Sequence, residues 1–275
     1  MAKPEFGHYT SPAGLLGILT REVLWATNIK FLNDAHEFQH GLELIKEILP
    51  TSKNATAKSP NPLFIEFVTR VSHQLDMLDL YRSDSVFTFA FSEKIDLLSQ
   101  WRGYCPSNNG YCVVFDLEKL EKLLKGKFED CRLVPCMYDD AEKGKQLRLL
   151  LNSKWATYQK LPDKKGKTSA IDDIARQIVA LSSYFKHPSF EEEREHRIVI
   201  ATDSDIKFRE GRTSLIPYIE LPAPRALIDK IIVGPNADQA LAKRALEACL
   251  EKGFGLDTFF GNPKIETSVT PYRSK

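Results

Sequence analysis

A chain of 275 residues, 43% hydrophobic and 27% charged, has the composition of one large mixed domain with a substantial core. A net charge of +1 argues against a broad polyanion-binding surface while leaving room for a local basic groove. The opening Met1-Ala2-Lys3-Pro4-Glu5-Phe6 lacks the apolar run of a signal peptide, and no stretch approaches the roughly 18 apolar residues of a membrane span. A cytoplasmic protein without a membrane partner is expected. The five cysteines, at 105, 112, 131, 136 and 249, are odd in number and form no CxxC pair, which argues against a disulfide framework and a zinc knuckle.

In chain order, Ser11-Pro12 reads as an N-cap and first helical proline, opening a short helix that buries Leu15, Leu16, Ile18 and Leu19. Residues 23–27 suit a strand. Asn33-Asp34 starts a helix striped by Phe38, Leu42, Ile45 and Leu49. Residues 50–62 read as a mobile loop and 63–80 as a helix. Residues 86–91 form a strong strand ending at Ser92, followed by a short helix over 97–104. A buried strand is expected at 111–115, a helix at 117–124 and a strand at 133–138. Helices over 142–158 and 169–185 flank a second mobile loop at 162–167. A strand at 197–201 is expected to be entered directly from Glu191-Glu192-Glu193. A strand at 228–234, a helix at 238–250 and a strand-like tail at 264–273 complete the chain. Strands and helices interleave without a regular βαβ beat, so the fold class is α+β, a single mixed domain over 1–275.

Four segments carry chemistry. His8-Tyr9-Thr10-Ser11 can hold a sugar or an amide through the imidazole nitrogens, or can equally be a helix cap beside a packed tyrosine. His36-Glu37-Phe38-Gln39-His40 matches the zinc-binding HExxH pattern letter for letter, whereas Asn33-Asp34 already explains the segment as a helix start. Ser92 at a strand end, followed by Gln100-Trp101-Arg102-Gly103-Tyr104, suits a flat ring stacked on Trp101 or Tyr104, or a core tryptophan with Arg102 paired to a carboxylate. In an extended Glu193-Arg194-Glu195-His196-Arg197, residues 193, 195 and 197 share one face, and two carboxylates facing a cleft stabilise positive charge on a sugar ring. An exposed helix end is the alternative.

Taken in order, His8-Tyr9-Thr10-Ser11, Phe31-Leu32-Asn33-Asp34 with Glu37, Phe91-Ser92 with Gln100, Trp101 and Tyr104, and the Glu193–Arg197 segment resemble the bacterial domain-of-unknown-function family 2971. Ile231-Ile232-Val233-Gly234-Pro235 and Ser268-Val269-Thr270-Pro271-Tyr272-Arg273 fit the same pattern, which keeps Asn33, Asp34 and Glu37 without requiring His36 and His40. That lowers the zinc reading, and no metal is expected. The order of a histidine, a strand-end serine and a glutamate at a strand start further resembles the ADP-ribosyltransferase plan. This second resemblance implies a split sheet with flanking helices and NAD as a consumed substrate. His8, with Tyr9 and Thr10, would anchor NAD, Ser92 would shape the pocket, and Trp101 or Tyr104 would stack on the nicotinamide. Glu195 would be catalytic and Glu193 its companion, with Asn33, Asp34, Glu37, Gln100, Arg102 and Arg197 as further pocket residues. The acceptor would be a macromolecule, a protein or a nucleic acid, as for a toxin or defence effector. A noncatalytic binding or regulatory module retaining the pocket, and a metal-dependent hydrolase using His36, Glu37 and His40, are the alternatives.

Overall fold

The computed structural model describes residues 4–32, 43, 61–81, 86–105, 109–211, 213–255 and 263–271, with the backbone alone at 78–81. Ten strands form one sheet: β1 (Phe6–Thr10), β2 (Val23–Asn28), β3 (Val86–Ser92), β4 (Tyr111–Phe115), β5 (Cys131–Pro135), β6 (Glu195–Ala201), β7 (Lys207–Glu210), β8 (Leu215–Pro222), β9 (Ile228–Val233) and β10 (Lys264–Thr267). Around it lie α1 (Pro12–Arg21), α2 (Pro62–Tyr81), α3 (Leu98–Tyr104), α4 (Leu117–Lys125), α5 (Asp140–Tyr158), α6 (Lys164–Ser182) and α7 (Gln239–Ala248). All strand pairs but β9–β10 are antiparallel. The α+β class is borne out.

The sheet forks at β3. One edge of β3 is paired along its whole length with β6, from Val86 opposite Ala201 to Ser92 opposite Glu195, and β6 continues to β5. The other edge serves two strands. Strand β1 meets it at Gly7 opposite Ser92, and β2 meets it at Thr27 opposite Thr88 and Asn28 opposite Phe87. Both run antiparallel to β3, so each, if prolonged, would claim residues 89–91. Two strands cannot share one row of backbone donors and acceptors, so they diverge. β1 leads into β4, β9 and β10, while β2 leads into β8 and β7. Helix α1 spans the two arms, with Ser11 Oγ accepting from the Gly14 N–H (3.1 Å) as its cap and Pro12 in the first turn.

Side-chain alternation divides the core between the two faces. On β3 and β6, Phe87, Phe89, Phe91, Ile198 and Ile200 point to one face, where they meet α1, α4 and the inner residues of β4, β8 and β9. Val86 and Val199 point to the other face, beneath Phe64, Phe67 and Val71 of α2, Leu147, Leu151 and Trp155 of α5, and Ile171, Ile174 and Ile178 of α6. Each fully buried phenylalanine contributes about 1.5–3 kcal/mol relative to exposure. The same periodicity puts Thr88, Ala90 and Ser92, with their ladder partners Val199, Arg197 and Glu195, on the helix-covered face. The helices pack on its Val86–Val199 end, and the polar residues occupy the other.

Several boundaries differ from expectation. Helix α6 already begins at Lys164, because the Asp163 carboxylate accepts from the Gly166 N–H (2.6 Å), so residues 164–167 are helical and not part of a mobile loop. Pro62 is the first residue of α2, behind an Asn61 side chain that accepts from the Leu63 N–H; residues 50–60 lie outside the described residues. Strand β5 covers 131–135, not 133–138, and Met137 instead makes a lone parallel bridge with Phe185. A 3₁₀ turn, Pro188–Glu193, and a left-handed Arg194 (φ 42°) precede β6, so the acidic run is not extended. Strands β7 and β8 have no counterpart in the sequence reading; in β8, Pro217 and Pro222 argue locally against a strand.

Gly234, ending β9, donates its N–H to the Gly110 carbonyl (2.9 Å), and a Cβ there would stand 2.8 Å from Trp101 Cζ3. Gly234→Ala is expected to lower stability by about 1–3 kcal/mol through forced repacking of the indole. Urea unfolding followed by circular dichroism measures it, and an unchanged midpoint would contradict this packing.

Candidate functional site

The fork opens a cleft. Its larger recess, about 570 Å³, is lined by His8, Thr10 and Ser11 from the first arm, Trp25 and Thr27 from the second, residues 88–90 of β3, and Tyr104, Glu195, Arg197 and Arg209. A narrower inner recess of about 40 Å³ shares His8, Ala90, Tyr104 and Glu195 with it, and adds Tyr9, Ser92, Gln100 and Glu193. His8, Tyr9, Thr10, Ser92, Gln100, Tyr104, Glu193, Glu195 and Arg197 therefore converge on one place from four separated segments.

His8 sits where the fork begins. Its Nδ1 is 3.0 Å from the carbonyl oxygen of Ala90, in the stretch of β3 that neither arm pairs, and its ring packs on Phe89 with centroids 4.2 Å apart. A carbonyl only accepts, so Nδ1 carries the hydrogen. Burial pulls the imidazole pKa down to about 4, against a smaller upward effect of the Ala90 bond. The ring is neutral at pH 7, and Nε2 is left as an acceptor for a hydroxyl or amide donor.

The acidic wall is an ion quartet. Glu195 and Arg197, two apart on β6, point the same way, and Arg197 Nε bonds Glu195 Oε1. Lys186 Nζ bonds both Glu195 Oε2 and Glu193 Oε2. Arg197 Nη1 also donates to the Ser183 carbonyl (2.8 Å), and the Glu195 N–H donates to Tyr138 Oη (2.8 Å). Lys186 is 1% exposed, Arg197 4% and Glu195 5%, so these charges stand largely outside water. Burial opposes ionisation of Glu195, but Arg197 and Lys186 outweigh it and hold the carboxyl below its usual range. Burial likewise pulls against the Lys186 charge, and Glu195 and Glu193 overcome it, raising that ammonium above the ordinary lysine range. Glu193 and Glu195 do share a side, yet through the turn at Arg194 and a common lysine, not through strand alternation.

Ser92 shapes the inner recess by donating to the Glu193 carbonyl (2.6 Å) and accepting from the Lys94 N–H (2.9 Å). Trp101 is not a stacking platform. It is 2% exposed, meets Tyr9 edge-on at 4.6 Å, and gives its Nε1–H to Asp96 (2.7 Å). Its helix turns Tyr104, 41% exposed, toward both recesses instead. Tyr9 Oη bonds the Lys94 carbonyl and accepts from the Leu97 N–H (2.9 Å), bracing the loop before α3. Arg102 is exposed and lines neither recess. Asn33, Asp34 and Glu37 lie outside the described residues, as do His36 and His40, the ligands of the metal-hydrolase alternative.

Lys186, Tyr138, Asp96 and Arg209 have no counterpart among the sequence candidates. Lys186 arrives through the segment after α6, which runs beside Met137: the Lys186 N–H donates to the Met137 carbonyl (2.9 Å), and the Met137 N–H to that of Tyr184 (2.8 Å). Asp96 accepts from Trp101, Ser268, Thr270 and the Val269 N–H, and these bonds overcome its burial and hold its carboxyl below the usual range.

Lys186→Met removes a cation from the buried Glu195 and the half-buried Glu193 and is expected to cost about 3–5 kcal/mol at pH 7. The pH dependence has a definite sign. In the native protein Glu195 titrates below its unfolded value, so its contribution is complete above that value and drains as pH falls through the lowered one. His8, at about 4 against 6.5, also loses stability as pH falls through that window. In the variant, burial of Glu195 is opposed by one cation fewer, so its carboxyl titrates above the unfolded value and stability is lost as pH rises. Urea unfolding at pH 5 and pH 7 is expected to show the variant closer to wild type at pH 5. A deficit that does not shrink at pH 5 would refute the quartet as described.

Residues 100–198, which carry Tyr104 and the whole quartet but not His8 or Ser92, are similar to a family described as protein of unknown function (DUF2971). No curated protein and no solved structure matches the chain.

Proposed function

We propose that the cleft binds NAD and transfers its ADP-ribosyl group, with nicotinamide as the leaving group. The observation that carries this reading is the fork itself: two strands leave one edge of β3, and the gap between them holds a neutral acceptor nitrogen on His8 beside an ionised, immobilised Glu195. A carboxylate of this kind suits a sugar carbon that becomes cationic as its bond breaks. Each oxygen of Glu195 receives one cationic donor and keeps capacity for a ribose hydroxyl. Tyr104 offers the ring face for the nicotinamide, and His8 Nε2 accepts from a ribose hydroxyl.

In the step proposed, the bond between the nicotinamide nitrogen and the ribose anomeric carbon breaks, and its electron pair neutralises the departing pyridinium. The electron-poor carbon is stabilised by Glu195. A lone pair of the acceptor, whether water or a macromolecular hydroxyl or amine, then forms the new bond, and Glu193 takes the acceptor's proton. Positioning and charge stabilisation supply the rate, and no metal ligand enters.

The test is nicotinamide release from NAD, read by chromatography. Glu195→Gln is expected to lower release by about 10²–10³-fold. Because Glu195 is half of two buried ion pairs, this variant is also expected to lose stability. His8→Ala spares the quartet, so it is the cleaner probe: KM for NAD rises about tenfold or more, and the unfolding midpoint falls less than in Glu195→Gln, because one hydrogen bond to the Ala90 carbonyl is lost and no ion pair. NAD binding without release supports the noncatalytic module, a reading favoured by the engagement of both Glu195 oxygens. Neither binding nor release would end the NAD reading.

A further inference from the structure

Arg209 on β7 has no role in that chemistry, yet it lines the larger recess. Its Nη2 donates to Thr27 Oγ1 at 3.0 Å, and its guanidinium carbon stands 5.9 Å from the centre of the Trp25 ring. Its Nε is buried and has no hydrogen-bond partner, the one such side-chain atom among the described residues. No carboxylate among the described residues pairs with it. A buried charged donor without an acceptor is costly and rare in native proteins, and where it faces a cleft it is the signature of a group that a ligand completes.

The ladder gives its place. Thr27, which holds Arg209, pairs with Thr88, and Glu195 pairs with Ser92. Four residue steps along β3 separate these rungs, roughly 13 Å at about 3.3 Å per step. That span suits a ribose and its diphosphate laid along the unpaired stretch of β3. The charges agree. Lys186 and Arg197 balance Glu193 and Glu195, and His8 is neutral, so Arg209 leaves the cleft lining cationic at this end. Arg21, whose guanidinium carbon is 5.5 Å from the same Trp25 ring, adds a second positive charge beside that indole.

We infer that Arg209, with Thr27 and Trp25, forms an anion subsite that takes the diphosphate of a nucleotide-sugar substrate. The Arg209 Nε–H runs parallel to one Nη2 hydrogen, and that edge is a fork matching two phosphate oxygens, while the second Nη2 hydrogen serves Thr27. The inference rests on reading the Glu195 end as the glycosyl-transfer end, and it fixes the direction in which the substrate lies.

Calorimetric titration of the full chain with sodium pyrophosphate, ADP-ribose and adenosine tests it at low salt. Pyrophosphate and ADP-ribose are expected to bind, and adenosine far more weakly. Arg209→Gln should weaken both anions by about tenfold or more, while Arg209→Lys restores only part, because an ammonium lacks the fork. Unfolding midpoints of both variants confirm that the fold persists. Arg209-dependent pyrophosphate binding without any nicotinamide release upholds the subsite and rejects the transferase reading. Equal pyrophosphate affinity in wild type and Arg209→Gln overturns the subsite, even if nicotinamide is released. Failure of every anion to bind wild type overturns it as well.

Discussion

Everything at the cleft follows from a competition for one row of backbone hydrogen bonds. Between the Thr88 and Ser92 rungs β3 turns the N–H and C=O of Ala90 to the edge opposite β6, and two strands approach them from different directions, neither able to take them without displacing the other. In a sheet, unpaired backbone groups invite either solvent or a partner. Here the His8 ring supplies part of the answer by donating to the Ala90 carbonyl, which in turn fixes the tautomer and the direction of the remaining nitrogen. The gap in pairing and the best-oriented side chain in the cleft are one feature.

The ion quartet is the second constraint, and its cost explains its construction. Buried charges of this kind lose several kcal/mol each of solvation, recovered only when partners and hydrogen bonds are near ideal. Lys186 shared between two carboxylates, Arg197 tied to Ser183, and Tyr138 accepting the Glu195 N–H meet that requirement from three chain segments at once. Such a cluster is a poor source of net stability and a good means of fixing geometry. Glu195 is held rigid and ionised, which is what charge stabilisation asks of a group that cannot reorganise during the reaction.

How far the sequence foretold this depends on whether the signal was local. The Ser11-Pro12 cap, the β3 run of alternating phenylalanines, and the shared face of Glu195 and Arg197 two residues on are set by neighbours in the chain, and each was readable. His8 and Glu195 could be nominated from residue type and order, although nothing local says that they meet across the sheet. Lys186 and Arg209 were invisible because an ordinary lysine in a Phe-Lys-His-Pro turn and an ordinary arginine in Lys-Phe-Arg-Glu acquire their roles only through tertiary contact. The β8 strand was hidden by Pro217 and Pro222, which local rules read as breaks. Trp101 misled for a different reason. Ring chemistry nominated it equally with Tyr104, but α3 is short enough that its helical phase decides, and Asp96 draws the indole inward.

The two ends of the cleft differ in their electrostatics, and that difference favours one orientation of any ligand whose charge is unevenly spread. Near Ser92 the lining combines a neutral imidazole with a quartet whose charges cancel, so a ring that sheds positive charge meets no net repulsion but finds a fixed carboxylate close by. Toward Thr27 the cation at Arg209 is backed by the indole of Trp25 and by Arg21, with no carboxylate among the described residues paired to Arg209. A dianionic diphosphate placed against the carboxylates would be repelled where it sits and would leave Arg209 uncompensated; reversed, both penalties vanish. On the proposed reading, the charges on the two arms of the fork thus choose which end of the substrate reaches Glu195, before any base- or ring-specific contact is made.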